Sequence, residues 1–293
     1  METSNFFPSV EIPNEGCQKT LKNCNELLPT LPQSKAWWFD QLFQYQGFWI
    51  PSFGIRGSML INDHFKPRPT DIIVATFPKC GTTWLRALVF SIINRNSFDF
   101  SDHPLHKANP QELVLFFEGY LHRYGSTSFV DGLPSPRLLS THLPYSLFPT
   151  RMTDDTSVCR FVYICRDPKD VVVSKWHFAN KLRPKELPPL SLEEALTCSA
   201  KGYRNMDRFG ITFWEEENNE TVAEIVKLCS FESLSNQNVN KSQTSSGERP
   251  IGNSDFFRKG EVGDWVNHLS PEMVEKLNQI TEQKLQGTGF NFD

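Results

Sequence analysis

The stretch Asp71-Ile72-Ile73-Val74-Ala75-Thr76-Phe77 constrains this chain most. It is a short apolar run rich in β-branched residues, the pattern of a strand buried on both faces of a parallel sheet. Pro78 to Thr83 follows as a turn, and Trp84, Leu85, Leu88, Val89, Ile92 and Ile93 then recur at helical spacing. A second unit begins at Arg137-Leu138-Leu139-Ser140-Thr141. A third strand, Phe161-Val162-Tyr163-Ile164, runs into Arg166-Asp167-Pro168, with a helix from about Lys169. Strands alternating with helices predict an α/β protein, a right-handed, mostly parallel sheet flanked by helices in three layers.

The 293 residues suit one domain of this kind, spanning 1–293. Residues 1–35, rich in Pro, Asn and Glu, are expected to extend over the surface. The aromatic run from Trp37 to Trp49 reads as a lid or wall over a core. Residues 236–255 are polar and Ser/Asn-rich, which predicts a mobile loop. Ser270-Pro271-Glu272 opens a final helix with Ser at the N-cap, Pro at the first helical position and Met273, Leu277 and Ile280 on its apolar face. No run of 18 apolar residues exists and the N-terminus lacks an apolar signal core, so neither a membrane span nor a secretory leader is expected. The net charge of −4 argues against nucleic acid as the main partner. Seven cysteines, an odd number with no CxxC pair, read as reduced thiols of a cytoplasmic protein.

Pro78-Lys79-Cys80-Gly81-Thr82-Thr83-Trp84 carries the strongest chemical signal. Free backbone N–H groups at a helix start, together with the helix dipole, favour an anion. Gly81 permits close backbone approach, Thr82 and Thr83 add hydroxyls, and Lys79 adds a point charge. A Walker A loop is excluded, because its Lys follows the Gly and here it precedes it. Taken alone, the segment also fits a capped turn with a surface lysine.

With its flanks, this string resembles the 5′-phosphosulfate loop of the cytosolic sulfotransferases, plant branch. Tyr163-Ile164-Cys165-Arg166-Asp167-Pro168-Lys169-Asp170-Val171-Val172-Val173-Ser174 resembles the family's 3′-phosphate strand–helix motif, and Arg258-Lys259-Gly260-Glu261-Val262-Gly263-Asp264-Trp265 its RKGxxGDW signature. The resemblance implies a P-loop-like fold and sulfuryl transfer from 3′-phosphoadenosine 5′-phosphosulfate (PAPS) to a small hydroxylated acceptor; with the donor bound by Lys, Arg and amides, no essential metal is expected. It implies that Lys79, Cys80, Gly81, Thr82 and Thr83 hold the phosphosulfate. Arg166, Ser174, Arg258, Lys259 and the Gly260 amide would clamp the 3′-phosphate, Arg being suited by its fork geometry. Trp84 and Phe231 match the adenine-stacking aromatics, although packing in the core is the other reading of Phe231.

Ser140-Thr141-His142-Leu143-Pro144 follows a predicted strand, and strand C-termini line the ligand crevice of such sheets. In the resembled family the His of a THxP string removes the acceptor proton, so His142 is the implied base. Lys79 would neutralise charge on the leaving phosphate oxygen. The six other histidines lack a matching context.

The family pattern breaks between Leu196 and Asn218, where several tens of its residues are missing, including an adenine-contacting Tyr, a helix of the acceptor pocket and a further strand. The replacement around 197–217 has no helical or strand period, and nothing around Tyr203 supports it as a stand-in for that Tyr. The expectation is an incomplete sheet with unpaired edges and an underfilled core. Three readings stay open: a PAPS-dependent sulfotransferase, an NTP-dependent kinase disfavoured by the loop order and the lack of a Walker B-like Asp, and an impaired remnant that at most binds nucleotide.

Overall fold

The computed structural model describes residues 13–35, 41–154, 159–196, 219–244, 251–287 and 292. Its centre is a four-stranded parallel sheet built from β4 (Ile72–Thr76), β5 (Leu115–Phe116), β6 (Leu138–Thr141) and β7 (Arg160–Ile164) in the order β5-β6-β4-β7. Beside it lies a small antiparallel sheet of β1 (Gln33–Lys35), β2 (Gln41–Tyr45) and β3 (Phe48–Ile50). The β2–β3 turn is Gln46-Gly47, both at positive φ, and Leu42, Trp49 and Ile50 from this hairpin wall the main cavity. Of the aromatic run, Phe43 and Phe48 are buried in the core and Trp49 faces the cavity; 36–40, with Trp37, Trp38 and Phe39, lie outside the described residues.

The alternation along β4 explains the layers. Ile72 and Val74 face α3 (Thr82–Ile93), packing with Leu85 and Val89 and with Leu138, Val162 and Ile164 of the flanking strands. Ile73 points the other way, into a cluster with Leu139, with Ile55, Leu60 and Ile61 of α2 (Ser52–His64), and with Phe117 and Leu121 of α5 (Phe117–Tyr124). Apolar residues on both faces require helices on both faces, which gives the three layers. A buried ion pair closes the start of this sheet: both Arg137 Nε and Nη2 donate to the Asp71 carboxylate, at 2.7 and 2.6 Å.

Between α3 and α5 lies a single turn, α4 (Pro110–Leu113), whose N-cap Asn109 forms a capping box with Glu112. Two short helices, α6 (Ser128–Gly132) and α7 (Thr150–Thr153), lead into β6 and β7. Helix α8 (Pro168–Leu182) starts where the Pro168 imide ring fits the first helical position, with the Asp167 side chain capping Lys169 N. The last helix, Pro271–Leu285, has the expected Ser270 N-cap and buries Leu277, with Met273 packed beside it.

Two expectations about polar segments are corrected. Residues 13–35 are not simply extended: Glu15–Leu27 form α1, capped by the Asn14 side chain on Cys17 N at 2.8 Å. Its buried stripe is Cys17, Thr20 and Cys24, with the Thr20 hydroxyl donating to Asp63 at 2.6 Å. A stripe made of cysteines and a hydrogen-bonded threonine carries little apolar signal. Likewise 236–255 is structured where described, with helices Phe231–Asn236 and Asn238–Ser242 and a 3₁₀ turn Asn253–Phe256. Its asparagines are buried fasteners: Asn109 Nδ2 donates to Asn240 Oδ1 at 2.7 Å, Asn240 Nδ2 to Leu234 O at 2.8 Å, and Asn253 Nδ2 to Val239 O at 3.0 Å. Residues 245–250 lie outside the described residues, as do 197–217, the segment with the broken pattern, and Tyr203 within it.

Candidate functional site

A cavity of about 1060 Å³ opens at the C-terminal ends of the parallel strands, and every sequence-predicted site residue lines it. The loop after β4 forms one end. Its backbone is bent into the left-handed region at Lys79 (φ 73°) and again at Gly81 (φ 99°), which N-caps α3. The second bend suits glycine, and it turns the first N–H groups of α3 toward the cavity. Cys80 is buried beneath the loop, and burial pushes its thiol up to about 12, so it stays a neutral packing group.

The loop hydroxyls are oriented from behind. Thr82 Oγ1 lies 2.7 Å from Thr76 Oγ1. The Arg86 guanidinium, buried and donor-only, bonds Gln111 Oε1, so Gln111 turns its amide nitrogen to Thr83 and donates to Thr83 Oγ1 at 2.7 Å. The Thr83 hydroxyl proton is thereby directed to another acceptor.

Cations crowd the same end. The Lys79 ammonium sits 4.0 Å from the Phe178 ring centroid, and its pKa falls to about 8. Burial is the main cause, followed by repulsion from Lys181, Arg258 and Arg166. Arg166 Nη2 donates to Glu261 O at 2.6 Å and meets Asp170 at 3.2 Å. Asp170 in turn accepts from Gly263 N, tying α8 to the 258–265 loop. Arg258 and Lys259 both reach the Asp264 carboxylate, at 2.5 and 2.6 Å, and hold its pKa far below the usual carboxylate range. Ser174 is buried in α8 on the cavity wall.

Trp84 (42% exposed) and Phe231 (37% exposed) are not core residues; both stand open on the cavity, as stacking platforms would. Gly260 makes room for one of them. Its φ is +70°, and a Cβ there would meet Phe231 Cγ at 2.4 Å.

His142 lies at the end of β6, across from the loop. Its Nδ1 is 2.7 Å from Thr76 O, and a carbonyl only accepts, so Nδ1 carries the proton and Nε2 keeps its lone pair. Burial lowers its pKa to about 4, helped by Arg86, Lys175 and Lys79. The imidazole is therefore neutral near pH 7. Beyond it the cavity is aromatic: Phe116 is 5.2 Å from the His142 ring and 6.2 Å from Phe53. Among the described residues no cluster of three or more His, Cys, Asp or Glu side chains could hold a metal ion.

Sequence reasoning missed Arg86, Gln111 and Glu118, and it quoted Asp264 in the 258–265 string without giving it a role. Arg86 and Glu118 did carry a signal, a charge inside an otherwise apolar run (Leu85-Arg86-Ala87 and Phe116-Phe117-Glu118). Gln111 carried none.

The family model described as Sulfotransferase domain matches residues 69–210 and 206–289. Cytosolic sulfotransferase 17 of Arabidopsis thaliana is 37% identical over 319 residues, covering 93% of this chain and 91% of the relative. Cytosolic sulfotransferase 16 of the same plant is 36% identical over 318 residues, covering 93% of each. Both alignments are longer than the 293-residue chain, so the relatives carry stretches that it lacks. An Arabidopsis thaliana sulphotransferase crystal structure superposes with a TM-score of 0.65 at 29% identity, covering 97% of this chain and 100% of that one. A retinol dehydratase bound to androsterone and the inactive cofactor PAP shares the fold, with a TM-score of 0.60 at 20% identity, covering 98% of each chain. Motifs, fold and likeness agree: the chain belongs to the sulfotransferase family, in its plant cytosolic branch.

Proposed function

We propose that the protein transfers a sulfuryl group from PAPS to a hydroxyl of a small molecule in the cytoplasm, as one domain, with His142 as base and Lys79 at the leaving group. The observation that carries this reading is the gathering of Lys79, Arg166 and Arg258 at a helix start, where burial first, and then repulsion from Lys181, Arg258 and Arg166, bring Lys79 down to about 8. Such a site gains from a multiply charged anion, and the open Trp84 and Phe231 rings fit an adenine between its phosphates.

PAPS supplies an activated sulfur whose bond to the phosphate oxygen breaks as the acceptor oxygen attaches. His142 Nε2 takes the acceptor proton, and Thr76 O stabilises the resulting imidazolium through Nδ1–H. Lys79 meets the charge that develops on the departing oxygen, while Thr82, Thr83 and the first amides of α3 hold the phosphosulfate. Arg166, Ser174, Arg258, Lys259 and the Gly260 amide grip the 3′-phosphate, and Cys80 packs the loop from below. The aromatic end, with Phe53, Phe116 and Trp49, favours a planar apolar acceptor.

The test is transfer from radiolabelled PAPS to a panel of phenol, flavonoid, steroid and desulfoglucosinolate acceptors. Label on an acceptor, lost on H142A, is the expected result. Mg²⁺-dependent phosphoryl transfer from a nucleoside triphosphate, with none from PAPS, would establish a kinase instead. A second reading has its own observation, the match in two blocks that meet at 206–210 together with alignments longer than the chain. In that reading the protein binds adenosine 3′,5′-bisphosphate but transfers little.

A further inference from the structure

Glu118 is a buried acid with no role in the chemistry above. It sits in the first turn of α5, 1% exposed, in an otherwise apolar cluster. Its Oε1 accepts the His142 amide N–H at 2.7 Å. Its Oε2 is buried with no hydrogen-bond partner, and the residue lines the cavity beside His142. The backbone forces it there: α2 crosses α5 so closely at Gly57 that a Cβ would meet Glu118 Cβ at 2.4 Å. A carboxylate is costly in such surroundings, and a solely structural acceptor for one amide could be a neutral group.

We propose that Glu118 is a positioning residue for the base, pinning the His142 amide and supplying the buried negative charge against which the imidazolium forms. This rests on His142 being the base. The ring is then held from two sides, Thr76 O on Nδ1 and Glu118 on the backbone. The groups that act on His142 besides these are all cations, Arg86, Lys175 and Lys79, and each opposes the charge it must take up. Glu118 offsets them. The charged or titratable groups facing Glu118 are Arg86 from α3 and His142 from the end of β6; β6 also brings the Thr141 hydroxyl, and α2 brings bare backbone at Gly57. Burial outweighs these partners and lifts the Glu118 pKa to about 7. Its ionisation thus falls near neutrality, well above that of His142. The acid limb of turnover accordingly belongs to Glu118.

The test uses the full chain labelled with ¹⁵N and ¹³C and the isosteric variant E118Q, which keeps an oxygen for the amide. In the wild type, the His142 amide and ring nitrogens should shift together with a midpoint near 7, tracking the Glu118 carboxyl carbon. In E118Q that step should vanish. Turnover by E118Q should fall about tenfold, the difference between a charged and a neutral hydrogen-bond acceptor, with a flat acid limb and unchanged affinity for adenosine 3′,5′-bisphosphate. His142 signals that stay flat through neutrality in the wild type, or an E118Q enzyme with unaltered turnover and acid limb, would overturn the proposal. The resonance arm needs neither turnover nor the variant. A wild type without sulfuryl transfer but with the coupled titration therefore sinks the transfer reading and leaves the Glu118–His142 coupling standing, whereas flat signals sink the coupling itself.

Discussion

Lys79 joins two conflicting demands, a charge for the donor and a crowd of other charges around it. Its pKa of about 8, down from 10.5, fixes the direction of a pH effect. Below about 8 the free protein holds Lys79 charged and ready for the anion; as pH rises through 8 it becomes neutral, and binding must then take up a proton. Affinity for adenosine 3′,5′-bisphosphate should therefore weaken between pH 7 and pH 9, measured by titration calorimetry, and K79A should flatten that dependence. K79A should also lower kcat more than it raises KM for PAPS, because charge on the leaving oxygen peaks in the transition state. An unchanged kcat would remove Lys79 from the chemistry. With Arg258 on the 3′-phosphate, as proposed, R258A should lose about 10–150-fold in affinity for adenosine 3′,5′-bisphosphate and far less for AMP, as hydrogen bonds to charged groups are worth about 1.5–3 kcal/mol. These residues could be read from the sequence because each lies in a contiguous string at a strand–helix junction. Gln111 could not, and Glu118 shows only as a charge in an apolar run, since what they touch, Thr83 and His142, is 28 and 24 positions away.

Among the elements, the loops after β4 and after Phe257 are where backbone shape bears on the proposed nucleotide site. A side chain at Gly260 is opposed twice, by φ +70° and by the Phe231 ring. G260A should displace Phe231 and weaken nucleotide binding, read from quenching of Trp84 fluorescence, while the melting temperature moves by only a few degrees, since strain of this kind costs about 1–3 kcal/mol. Equal nucleotide affinity in G260A and wild type would separate Phe231 from the adenine. The parallel strands β4, β6 and β7 were legible because burial on both faces leaves an unbroken apolar run. Strand β5 has two residues, too few to show a period, and α1 hides its stripe in cysteines and a threonine.

For the molecule as a whole, the question is whether the sheet and pocket are complete without the residues that relatives carry and this chain lacks. If 197–217 does not replace them, the purified protein should be cleaved by protease within about 198–220, melt at low temperature and transfer label near background, because even Leu-to-Ala-sized voids cost about 2–5 kcal/mol. H142A would then change little. If the chain is active, H142A should cost about 10²–10⁴-fold in kcat. A cooperative melt in the mesophilic range with robust transfer would show that the shortened chain closes its fold.

Thr76 gives this arrangement a common datum. Its hydroxyl meets Thr82 at the start of the donor loop's helix, and its carbonyl holds the ring of His142. In the proposed reaction the span between the donor loop and the base is thus gauged from one residue at the end of a central strand. Misplacement by about 1 Å can cost a hundredfold in rate, so a shared reference point lets the acceptor end of the cavity be reshaped while the reacting atoms keep their tolerance.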